Sequence, residues 1–161
     1  MERSTHLMLD AKKAIMTRKR AVERARLAQE PYLLWNAFID LLATEDYGDL
    51  SSTQRKAHLV FWYDSEFQNG GHGQYFENRG MNRLDETVAA LRDLGLLCQA
   101  EVLARAAAAF DAAEPTEDWS DVLHDDFIDE LDAAFDRCTP SVTEALEQHL
   151  ARHADEYVEY K

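Results

Sequence analysis

Basic residues are missing from a long stretch of this sequence. No Lys or Arg lies between Arg105 and Arg137, yet that interval holds eleven acids: Asp111, Glu114, Glu117, Asp118, Asp121, Asp125, Asp126, Asp129, Glu130, Asp132 and Asp136. The formal net charge is −14. Phosphate binding needs clustered Lys and Arg, so nucleic acid is excluded as a direct partner, and the field of such a chain favours basic surfaces instead. Long apolar runs are also missing. None approaches the ~20 residues that span a bilayer, so no membrane association is expected. Met1-Glu2-Arg3-Ser4 leads into an amphipathic stretch without a long apolar segment or a small-residue cleavage site. That pattern argues against a secretory signal and points to the cytoplasm. Cysteine is scarce: Cys98 and Cys138 lack CxxC spacing and read as two buried free thiols in a reducing compartment. Proline is rare and no strand-like alternation is convincing. The sequence therefore predicts an all-α protein, a single compact domain of about six to eight helices.

What is present is unevenly placed. Residues 1–30 carry eight Lys/Arg against four Asp/Glu, or +4; residues 31–161 carry nine against twenty-seven, or −18. The reading is a basic amphipathic N-terminal helix, an arm over residues 1–29, followed by a helical core domain over 30–161 whose C-terminal region is acidic. Pro31 suits the first turn of a second helix, apolar almost all round and expected at the centre of the core. Ser51 and Gln54 offer a capping box for a third. Asn82 is the expected cap of the next, which Gly95 ends. Thr139 is the expected cap of the last, with Pro140 at its first position and an end near Tyr160.

The densest local signal runs from Phe61 to Asn78: a helix, a tight stop at Asn69-Gly70-Gly71, and a helix restarted at once. The glycines follow a helix rather than a strand, and no Lys stands at P-loop spacing, so they do not read as a phosphate cradle. Glu66, Asn69-Gly70-Gly71, Gln74-Tyr75-Phe76 and Asn78 together resemble the DNA mimic protein family, a bacterial family of helical domains. The likeness covers roughly residues 30–112. It implies an all-helical domain able to dimerise, in which Glu66, Asn69, Gly70, Gly71, Gln74, Tyr75 and Asn78 are structural. It also implies an acidic surface that imitates duplex DNA and occupies the DNA-binding site of a transcription regulator.

Any such surface must come from acids outside the motif. Asp118, Asp121, Asp125, Asp129, Asp132 and Asp136 are three or four residues apart. If helical throughout, they form one stripe spanning ~27 Å, with Asp126 and Glu130 beside it. These eight residues are the expected partner-binding set. A solvated face of an acidic protein would account for the same residues.

Three other readings remain. The acidic surface could belong to an inhibitor or immunity-type protein for a basic enzyme such as a nuclease. His58, His72, Asp64 and Glu66 could form an acid/base corner in an enzyme. His149 and His153, four apart with Glu147 and Asp155 near in sequence, have a spacing that can hold a metal. The leading expectation is a non-catalytic protein without cofactor or metal that binds a basic, DNA-binding protein.

Overall fold

The computed structural model describes residues 18–112 and 126–161. The described residues are overwhelmingly helical, and the protein is all-α as expected, with one short strand pair. The order is β1 (Arg20–Val22), α1 (Arg24–Leu27), α2 (Tyr32–Thr44), a 3-10 turn (Tyr47–Asp49), α3 (Ser52–Arg79), α4 (Leu84–Asp93), α5 (Leu97–Asp111), α6 (Asp126–Asp136), α7 (Val142–Tyr157) and β2 (Val158–Tyr160). The described residues divide into two compact units, 18–58 with 146–161, and 59–112 with 126–145.

In the first unit, β1 and β2 pair in parallel, with Arg20 opposite Val158 and Val22 opposite Tyr160. The ladder continues from Arg24 N–H to the Lys161 carbonyl and from Lys161 N–H to the Val22 carbonyl. This corrects two expectations. The basic arm is not one helix over 1–29: residues 1–17 lie outside the described residues, and Arg20–Val22 is a strand. The last helix stops at Tyr157 rather than near Tyr160. Three-residue strands are too short to show alternation, which is why the sequence hides them. The arginines of the arm dock on acids of their own unit. Arg18 bonds Glu45 and Asp49, each at 2.9 Å, and Arg20 bonds Asp40 at 2.6 Å and Glu45 at 2.8 Å.

Helix α2 buries Phe38, Leu41 and Leu42 along one stripe. Phe38 meets the Tyr157 ring edge to face at 4.7 Å. Tyr32 is exposed and Leu33, Leu34 and Trp35 are half-exposed, so α2 is a one-sided helix and not the all-round buried one expected. The capping box at the start of α3 forms as read: Ser51 N–H donates to Gln54 Oε1 at 3.0 Å, and Gln54 N–H to Ser51 Oγ at 3.2 Å. The buried Gln54 amide also donates to the Glu156 carbonyl at 2.7 Å, so one side chain caps a helix and holds the C-terminal segment.

In the second unit, the later part of α3 packs with α4, α5, α6 and the start of α7 around Tyr63, Leu91, Leu96, Leu103, Ile128, Leu131 and Phe135. Helix α4 begins after Arg83, which takes a left-handed conformation and makes no side-chain cap; Asn82 is thus not its cap. It ends at Gly95, φ +82°, with Leu96 N–H on the Leu91 carbonyl and Gly95 N–H on the Arg92 carbonyl. That double closure needs a residue able to take positive φ, and Leu96 just beyond it is fully buried. The cap of α7 is Ser141, not Thr139: its N–H donates to Glu144 at 2.7 Å, and Glu144 N–H donates to its Oγ at 3.2 Å. The capping hydrogen bond from the Ser141 backbone holds the Glu144 carboxyl below its usual range. Cys98 and Cys138 are joined in a disulfide, Cα atoms 5.6 Å apart, which overturns the reading as free thiols. Spacing in sequence carried no sign of it, because α5 and α6 pack together only in the fold.

Candidate functional site

The Gly-Gly motif makes the corner that the sequence predicts. Helix α3 breaks at Gly70 and Gly71, and Gly71 sits at φ +69°. A Cβ at Gly71 would collide with the Asp132 carboxylate, so this position needs glycine both for its dihedral and for its clearance. Asp132 comes from α6. Its Oδ1 accepts from the His72 backbone N–H at 3.1 Å and lies 2.5 Å from His72 Nδ1. A carboxylate only accepts, so Nδ1 carries the hydrogen. His72 Nε2 then faces the Tyr63 hydroxyl at 2.7 Å, and burial raises the Tyr63 phenol well above its ordinary range, so it keeps its proton and donates. His72 and Tyr63 have no exposed surface. Phe67 and Phe135 stack at 3.8 Å beside them.

The expected acid/base corner is not assembled. Glu66 accepts from Asn78 Nδ2 at 2.8 Å and pairs with Arg79 Nε at 3.4 Å, and the Arg79 guanidinium lies over the Trp62 ring. His72 has Tyr63 and Asp132 as its partners instead. Asp64 accepts from Gln68 at 3.2 Å, and burial raises its carboxyl above the usual range. His58 belongs to the first unit, against the Tyr47 ring. Among the remaining motif residues, Tyr75 is buried and Gln74 crowds Gly70.

Of the eight expected partner-binding acids, Asp118, Asp121 and Asp125 lie outside the described residues. Asp126, Asp129, Glu130 and Asp136 are exposed on α6, whose opposite side buries Ile128, Leu131 and Phe135. Asp132 departs from the expectation. It borders the buried face and faces the Gly71-His72 corner, so its carboxylate is already engaged. At ~100° per residue, acids at three- and four-residue spacing run down the flank of α6, while Asp126 and Glu130 stand farther from the core.

The histidine pair on α7 stands side by side, ring centroids 4.7 Å apart. His149 Nε2 is 2.7 Å from the Tyr157 hydroxyl, which reaches the Thr53 carbonyl at 3.3 Å. Burial, with His153, Lys56 and Arg152 nearby, lowers His149 to about 4. No group of three or more His, Cys, Asp or Glu is arranged to hold a metal among the described residues. Nor, among them, is any helix long and apolar enough to cross a membrane.

Fold and site define an acidic, predominantly helical protein with a carboxylate-bearing helix pinned to a Gly-Gly corner. The chain belongs to the family of the DMP19-like protein, whose sequence model matches residues 48–156. This corrects the family named from the motif, and its extent: the match starts after α2 and takes in α6 and most of α7, where the motif-based likeness stopped near residue 112. No curated protein and no solved structure matches the chain.

Proposed function

We propose that this DMP19-like protein is a non-catalytic binding protein that presents carboxylates in place of DNA phosphates and occludes the DNA-binding surface of a basic protein such as a transcription regulator. One observation carries the reading. Helix α6 exposes Asp126, Asp129, Glu130 and Asp136 along ~15 Å, with no basic residue in its last turn. Like charges three and four residues apart repel by ~0.2–0.5 kcal/mol per pair in an isolated helix. Ile128, Leu131 and Phe135 offset that cost by packing, which holds the charges in a fixed array. Lys and Arg that normally contact phosphates would pair with them, and DNA would be excluded. The cytoplasm suits this role, since DNA-binding regulators work there.

The test is competition. Labelled duplex DNA bound to purified DNA-binding proteins from the same cell is titrated with this protein at low and high salt. Displacement that weakens steeply as salt rises is expected. Asp126→Asn/Asp129→Asn/Glu130→Gln should displace about tenfold less well, as three exposed pairs worth ~0.5 kcal/mol each would give. If no protein in the panel releases its DNA at any salt, the reading fails.

A further inference from the structure

A cleft of about 370 Å³ opens in the second unit beside Cys138, at the C-terminal end of α6. Asp64 from α3, Gln99 from α5, Asp136 from α6, and Ser141 and Thr143 at the start of α7 line it, with Phe135 as an apolar wall. Acceptors dominate, and no Lys or Arg is among the lining residues.

Gln99 marks what the cleft would hold. It is 1% exposed. Its Nε2 donates to the Pro140 carbonyl at 2.7 Å, which fixes the orientation of the amide. Its Oε1 is buried with no hydrogen-bond partner among the described residues. An orphaned buried acceptor is costly and asks for a donor. The two carboxylates make the same demand. Asp64 accepts from the neutral Gln68 amide and has no cation paired with it among the described residues, and burial raises its carboxyl. Asp136 ends α6, where the helix dipole is negative and disfavours a carboxylate unless a cation is near; Arg137, the next residue, is exposed and is not among the residues that line the cleft.

We propose that this cleft is a socket for one arginine side chain of the basic partner, its guanidinium bridging Asp64, Asp136 and Gln99 Oε1. A guanidinium offers five N–H donors in a planar fork, so it spans acceptors on separate walls more widely than the three donors of a compact, strongly hydrated ammonium. The methylene stem lies against Phe135. Cleft and acidic face share Asp136, so an arginine seated here would anchor a partner lying along α6. The inference rests on the reading of a basic protein partner and names how one of its residues is recognised.

The test uses the full chain and N-acetyl-arginine methylamide, followed by amide NMR at fixed ionic strength. The Gln99 side-chain amide and the Ser141–Thr143 backbone signals should shift saturably. The lysine analogue should bind at least fivefold more weakly, and the norleucine analogue should leave those signals in place. Asp64→Asn/Asp136→Asn should weaken arginine binding about tenfold, with signals elsewhere unchanged as the check on folding. Asp126→Asn/Asp129→Asn/Glu130→Gln should keep it. Absence of saturation, equal binding of the lysine and arginine probes, or full retention in Asp64→Asn/Asp136→Asn would overturn the socket. Those results leave DNA displacement by the α6 face untouched, so the two readings fail separately.

Discussion

Asp132 shows how one residue can be read correctly by type and wrongly by role. Its spacing places it in the acidic stripe, but its carboxylate serves a buried histidine and the backbone N–H of the same residue. Asp132→Ala should strand both donors and cost about 2–4 kcal/mol of unfolding free energy by urea titration. Asp129→Ala, on the exposed side, should stay within about 0.5 kcal/mol. A loss of similar size in the two variants would deny Asp132 its special place. His149 sets a pH dependence. Its folded value of about 4 lies below the ordinary ~6.5 of an unfolded chain. The unfolded state therefore takes up a proton first, and stability falls as pH drops from about 6.5 to about 4, then levels off for this group. His149→Gln should flatten that part of the stability curve. If the slope persists, other groups cause it.

At the scale of elements, the sequence discloses what is local. The capping box Ser51/Gln54, the stop at Gly95 and the break at Gly70-Gly71 each depend on a few neighbouring residues, and each stands as read. What depends on distant residues is not legible in the same way. The β1–β2 pair joins segments more than a hundred residues apart, and its strands are too short for a pattern. Asp132 and His72 are sixty residues apart, so nothing at either position announces the other. Ser141 replaces Thr139 as a cap because Glu144, three residues on, completes a reciprocal pair. Gln99 has no signature at all; in sequence it is one polar residue in an Ala-rich helix. The Cys98–Cys138 bond closes a separation of 40 residues, and the chain-entropy account assigns such a loop about 4 kcal/mol. Reduction by dithiothreitol should lower Tm on the order of 10 °C. An unchanged Tm would show that packing of α5 on α6 suffices without the bond.

At the scale of the molecule, net charge overstates what a partner can use. Arg18 and Arg20 already neutralise part of the acidity near Asp40, Glu45 and Asp49, and Asp132 faces inward. The acids left to a partner on the described part of α6 are few and regularly placed. Charge-reversing variants make a sharper test than neutral ones: Asp126→Lys/Asp129→Lys should abolish salt-sensitive displacement of DNA, while circular dichroism stays unchanged. Retained displacement would move the binding surface elsewhere.

Gly71 has a consequence of another kind. The backbone at this corner leaves no room for a methyl group beside Asp132. Gly71→Ala alters no charge and adds no group that a partner would meet, yet it must push the carboxylate, and with it α6, out of place. The electrostatic pattern of one face is thus hostage to a hydrogen atom on another helix, and a search for residues that tune recognition should include positions that bear no charge.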